Sequence, residues 1–187
     1  MSKNLTALVE AAIFAALAMT LSFVPDFASW FTPSFGAIPL VVFALRRGLK
    51  YGLLAGLLWG LMHFLLGKVY YLAFSQVLIE YIVAFVSMGL AGTFANSFQS
   101  ALRLNQTKKA LSLGVLASLL AVGVRYFWHF VAGVIFWGSY APKGMSPILY
   151  SISVNGIAGL ATLSLVLVAL FLMMSPQARN FFLAKKA

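Results

Sequence analysis

Six apolar runs separated by short polar breaks set the pattern of this chain, at about residues 5–24, 35–45, 49–66, 71–98, 110–137 and 147–174. A helix crosses a bilayer core in about 20 apolar residues, and all but the run at 35–45 approach or exceed that length. The pattern predicts an all-α integral membrane protein with six transmembrane helices, forming one domain over residues 1–187. The breaks are informative in themselves. Pro25-Asp26-Phe27-Ala28-Ser29-Trp30-Phe31-Thr32-Pro33 holds two prolines, an acid and three aromatics, which suits an ordered interfacial loop or a lid over a pocket. A polar hinge runs from Gln99 to Lys109, and Gly138 to Ser146 forms an outer loop before Pro147, a first-turn proline for the last helix. No internal repeat of the kind that marks many secondary transporters is visible.

Within the first run, Ala7, Ala11 and Ala15 recur every fourth residue, and Ala12 and Ala16 repeat the spacing one position on. Gly52, Gly56 and Gly60 do the same in the third run. Such small-residue ridges let helices approach closely where lipid supplies no hydrophobic drive between them.

Composition agrees with the pattern. The chain is 63% hydrophobic and 9% charged, with a mean hydropathy of +0.99, and a soluble domain of this size could not cover so much apolar surface. A cleavable signal peptide is not expected, because the first run is long and no small-residue cleavage site follows a short core. The net charge of +10 comes from 13 Lys+Arg against 3 Asp+Glu. In a membrane chain the positive-inside rule accounts for it, so no nucleic-acid partner is expected. Six spans place Lys3, Arg46, Arg47, Lys50, Arg103, Lys108, Lys109, Arg179, Lys185 and Lys186 on one side, against Lys68 and Lys143 on the other. Both termini are then cytoplasmic. With no cysteine, neither a disulfide nor a thiolate metal site is available.

Chemistry concentrates in two places. Glu80 is the one acid deep in an apolar segment, where a charge costs about 3 kcal/mol on insertion scales and so normally faces a partner or a cavity. A helix-to-helix salt bridge with Arg125 is the purely structural alternative. Arg125, His129, Gly133 and Trp137 recur every four residues and form one stripe on the fifth helix. Tyr70, Tyr71 and Tyr81 surround Glu80 in sequence, and Trp137, Tyr150 and Trp30 can close the opposite side. A carboxylate among aromatic faces suits an organic cation. His129, Tyr150, Ser151 and Asn155 offer donors and acceptors to a heteroaromatic ring, and Gly133 would let that ring approach the backbone. His63, isolated in the third run, reads as a packed or interfacial histidine. The implied ligand is small, flat and cationic.

Enzymatic readings fare worse. No paired-carboxylate motif, metal-ligand set, Gly-x-Ser-x-Gly nucleophile or P-loop is present, so neither catalysis nor ATP hydrolysis is expected of this chain. Any active transport would draw on an ion gradient or another subunit.

The stretches LVEAAIFAALA, WFTPSFGAIPLV, LLGKVYYLAFSQVLIEY and HFVAGVIFWGSYAPKGMSPILYSISVN resemble the thiamin-specific substrate-binding subunits (S-components, ThiT type) of energy-coupling factor transporters, and spread the likeness over essentially the whole chain. The resemblance implies the S-component fold of six helices, a bacterial plasma-membrane location, and a thiamin pocket near the outer face, with no cofactor. It implies that Glu80 pairs with the thiazolium cation and that Trp137 stacks on a ring of the vitamin. His129, Tyr150 and Asn155 would hydrogen-bond the aminopyrimidine, Tyr70, Tyr81, Gly133 and Ser151 would line the pocket, and Trp30 would sit on a gating loop. The family often has lysine at the position of Arg125, whose fork differs in geometry from an ammonium. Ala12 and Ala16 resemble the Ala-xxx-Ala motif that docks on a transmembrane coupling subunit, which itself sits on two cytoplasmic ATPases. The alternative from the residues alone is a stand-alone secondary transporter for an organic cation, with Glu80 as its proton-coupling group.

Overall fold

The computed structural model describes residues 3–24 and 32–183, and these form six principal helices and no strand. They are α1 (Lys3–Leu21), α2 (Ala37–Arg47), α3 (Leu49–Leu65), α4 (Phe74–Arg103), α5 (Thr107–Phe136) and α6 (Pro147–Met173). Short 3₁₀ turns follow at Gly138–Tyr140 and Arg179–Phe182. Each helix overlaps one of the six apolar runs, with ends that differ by up to five residues. Four of them, α1, α4, α5 and α6, are long and apolar enough to cross a membrane, and α3 is a shorter apolar helix of 17 residues. At 11 residues α2 rises only about 16 Å, roughly half a bilayer core. It is buried from Ala37 to Leu45 apart from Ile38, so its neighbours rather than lipid surround it.

Packing follows the small residues. A Cβ on Gly52 would lie 3.1 Å from the Gly89 Cα, one on Gly56 would lie 3.0 Å from the Val86 Cα, and one on Gly60 would meet the Tyr81 carbonyl. The glycine ridge of α3 thus presses backbone to backbone on α4, as its spacing predicts. The alanine ridges of α1 part company. Ala7, Ala11 and Ala15 are buried against the body of the protein, whereas Ala12 and Ala16 face outward.

The basic end of the bundle is tied together. Glu10 on α1 accepts from Arg46 Nε at 3.1 Å and from Arg47 Nη2 at 2.6 Å, so these arginines form ion pairs instead of standing as solvated charges. Arg46 also donates to the Phe181 carbonyl and lies over that ring. Gln99 Nε2 caps the last carbonyls of α2 at Leu45 and Arg46. Because successive helices alternate in direction, this end gathers the arginines of α2, the hinge after α4 and the Arg179 turn. The opposite end gathers the close of α1, α3 and α5 and the start of α4 and α6. There Lys68 Nζ donates to the Ser22 carbonyl at 2.5 Å.

Candidate functional site

At that second end, α4 begins with one α-helical turn, Phe74–Val77, and then widens into a π-helical turn over Leu78–Val83. Wide turns of this kind are uncommon and often mark functional positions. This one carries Glu80, 9% exposed. Its Oε1 accepts from Trp137 Nε1 at 2.8 Å and its Oε2 accepts from Gln76 Nε2. The Trp137 ring lies 5.0 Å from Tyr70 and 5.4 Å from Tyr140, centroid to centroid. The Tyr70 amide in turn donates to the Tyr81 hydroxyl at 3.0 Å. The carboxylate is thus held by two neutral donors, with no cation paired to it among the described residues, beside an aromatic wall.

Glu80, Gly133, Trp137, Tyr150, Ser151, Val154 and Asn155 line a chamber of about 200 Å³. A larger one of about 310 Å³ adjoins it, sharing Val154 and Asn155. Trp59, His63, Phe85, Arg125, Tyr126 and His129 form much of its wall, and Ser22, Val24 and Thr32 to Phe35 line it as well. The stripe on α5 therefore divides. Arg125 and His129 belong to the larger chamber, Gly133 and Trp137 to the smaller.

The Glu80–Arg125 salt bridge does not form. Arg125 donates from Nη1 to Ser34 Oγ at 2.8 Å, and its guanidinium lies 4.7 Å from the Trp59 ring and 4.6 Å from the Phe85 ring. Its Nε is buried without a hydrogen-bond partner among the described residues. Aromatic faces offer a buried guanidinium partial compensation, which a carboxylate would otherwise provide. Ser34 is itself fixed, its amide donating to Thr162 Oγ1 at 2.8 Å, with Tyr126 Oη 2.7 Å from the same oxygen.

On α6, Ser151 Oγ donates to the Phe130 carbonyl at 2.8 Å and accepts from Asn155 Nδ2 at 3.2 Å. A Cβ on Gly133 would stand 2.9 Å from that Asn155 nitrogen. The bare backbone at Gly133 therefore makes room for the polar side chains of α6 as well as for a bound ring. Tyr70 and Tyr81 line neither chamber. Tyr70 backs Trp137 from outside, and Tyr81 stacks on Phe85 at 6.0 Å. Trp30 lies outside the described residues. His63, read as a packed histidine, is buried with Nδ1 2.9 Å from the Trp59 carbonyl, yet it also forms part of the larger chamber.

Three contributors escaped the sequence reading: Gln76, Ser34 and Trp59. Gln76 left a usable signal, being a polar residue one helical turn before an intramembrane acid. Ser34 and Trp59 left none, since only tertiary packing brings them to Arg125.

Comparison with known proteins agrees with this geometry. Residues 8–182 match the family model described as thiamine transporter protein (Thia_YuaJ). The chain is 38% identical to the thiamine transporter ThiT of Lacticaseibacillus paracasei, over 98% of this chain and 93% of that one. It is 34% identical to ThiT of Bacillus subtilis, over 82% of each. A solved structure of ThiT from Listeria monocytogenes superposes with a TM-score of 0.93 at 44% identity, covering 98% of this chain and 100% of that one. With its helices, its buried carboxylate and these relatives in agreement, this chain belongs to the thiamine transporter protein family and is a multi-pass protein of the plasma membrane.

Proposed function

We propose that this protein captures thiamin from outside the cell and hands it to a shared energising module, as a substrate-binding subunit and not as an enzyme. The observation that carries the reading is the buried carboxylate of Glu80, held by the Gln76 amide and the Trp137 indole with no cation paired to it among the described residues, in a chamber lined by the Trp137 and Tyr150 rings. Thiamin has two rings joined by a short bridge, and one ring for each chamber accommodates it. The thiazolium lies in the smaller chamber against Glu80 and Trp137, with Tyr150 and Ser151 beside it. The aminopyrimidine lies in the larger one, within reach of His129 and Arg125, with Asn155 at the waist between them. The site belongs to the end of the bundle poorest in Lys and Arg, which the positive-inside rule makes the outer one, with both termini cytoplasmic.

Tryptophan fluorescence of the detergent-purified protein, titrated with thiamin, tests this directly. Saturable quenching is expected at nanomolar to low-micromolar thiamin, on the order of −8 to −12 kcal/mol of binding, with thiamin pyrophosphate competing only weakly. A flat titration of folded protein would sink the reading.

The outward alanines support the module. Ala12 and Ala16 stand on the exposed face of α1, where a coupling subunit's helix can approach closely. Ala16→Leu is expected to leave thiamin affinity within about twofold while markedly reducing co-purification with the coupling subunit and its two ATPases. Unchanged co-purification would remove that face from consideration. The module supplies what a stand-alone transporter would draw from a proton gradient, so uptake by this chain alone in energised vesicles would favour the alternative.

A further inference from the structure

Gln76 lies one turn before Glu80 on α4 and is fully buried. Its carboxamide makes three bonds. Oε1 accepts from the Leu72 amide at 3.1 Å, while Nε2 donates to the Tyr70 carbonyl at 3.1 Å and to Glu80 Oε2. The orientation of the group is forced by its neighbours. A backbone N–H can only donate, so the carboxamide oxygen must face Leu72, which turns the NH₂ toward the Tyr70 carbonyl and the carboxylate. The indole of Trp137 is also donor-only. Each Glu80 oxygen therefore accepts from an N–H, an arrangement that favours the carboxylate over the protonated carboxyl.

We propose that Gln76 is the positioning residue that makes this site select a cation: the same carboxamide holds Glu80 as a two-sided acceptor and clasps the 70–72 turn that carries the Tyr70 wall. The inference rests on the thiamin reading and deepens it. Glu80 supplies the charge, and the Gln76 amide favours its ionised form and fixes where it points. The bland alternative is a buried glutamine that merely satisfies the turn's backbone groups. It predicts the same loss for every ligand, because it acts only on the shape of the pocket.

Two ligands of one shape separate these ideas: thiamin, and its deaza isostere in which a neutral ring replaces the thiazolium. Both are titrated against wild type, Gln76→Leu and Gln76→Glu by calorimetry. Gln76→Leu is expected to weaken thiamin by about tenfold or more and the neutral isostere by less than about threefold, so the preference for charge collapses. Gln76→Glu is close in shape, and keeps the test alive if the leucine variant does not fold. It sets two carboxyl groups to share a proton, so thiamin binding should gain a titration step between about pH 5 and 8 that wild type lacks. Equal losses for both ligands, or a pH profile for Gln76→Glu parallel to wild type, would overturn the proposal. Wild-type protein that binds neither compound would overturn the thiamin reading, and this inference with it.

Discussion

Glu80→Gln is expected to weaken thiamin binding by about 3–4 kcal/mol, on the order of a hundredfold to a thousandfold, while the ligand-free protein elutes and melts as wild type does. The loss has two sources. The substitution removes the negative charge that a thiazolium would pair with, in a site where little water is available to compensate. It also introduces a donor conflict. Glu80 accepts from Trp137 on one oxygen and from Gln76 on the other, and a glutamine must turn its own NH₂ toward one of those N–H groups. Relief of that conflict moves the Trp137 indole or the Gln76 clasp, so the aromatic wall shifts along with the charge. Isothermal calorimetry on both proteins at one pH and salt checks the number. Affinity within about threefold of wild type would show that the cation is held by the rings alone.

What could be read from the sequence was whatever a helix carries on its own surface. The apolar runs fixed six helices because span length and turn residues are local properties. The glycine spacing of α3 announced a close helix contact, and α3 does lie backbone to backbone on α4. The periodicity of α5 put Arg125, His129, Gly133 and Trp137 on one face, which is where the chambers are. Illegible were the features that depend on what one helix meets on another. Nothing in the order of residues says that Arg125 reaches Ser34 and the Trp59 and Phe85 faces instead of Glu80. Nor does it say that the stripe on α5 is split between two chambers by Val154 and Asn155 of α6. The π turn at Glu80 is equally hidden, because its residues, Leu-Ile-Glu-Tyr-Ile-Val, suit an ordinary helix as well. Two apparently equivalent alanine ridges on α1 differ only in which neighbour covers them.

Trp137 is the second residue on which the site depends, and its two roles can be separated. Its ring forms the wall between the Tyr70 and Tyr140 rings, and its N–H fixes Glu80 Oε1. Trp137→Ala removes both, and is expected to cost roughly a hundredfold in thiamin affinity, the combined size of a cation–π contact, ring stacking and a hydrogen bond to a carboxylate. Trp137→Phe keeps an aromatic face and removes only the donor, for an expected loss of about tenfold. Calorimetry is the readout, since removing Trp137 also removes the fluorophore nearest Glu80. The pair of variants decides what the wall does. Equal losses for alanine and phenylalanine would mean that Trp137 acts only by aiming the carboxylate, and that the ring need not touch the ligand. In the double variant with Glu80→Gln, the phenylalanine should add little further loss, because the donor has no carboxylate left to aim. A fully additive loss there would mean that the indole N–H acts independently of Glu80, as a donor to the ligand itself.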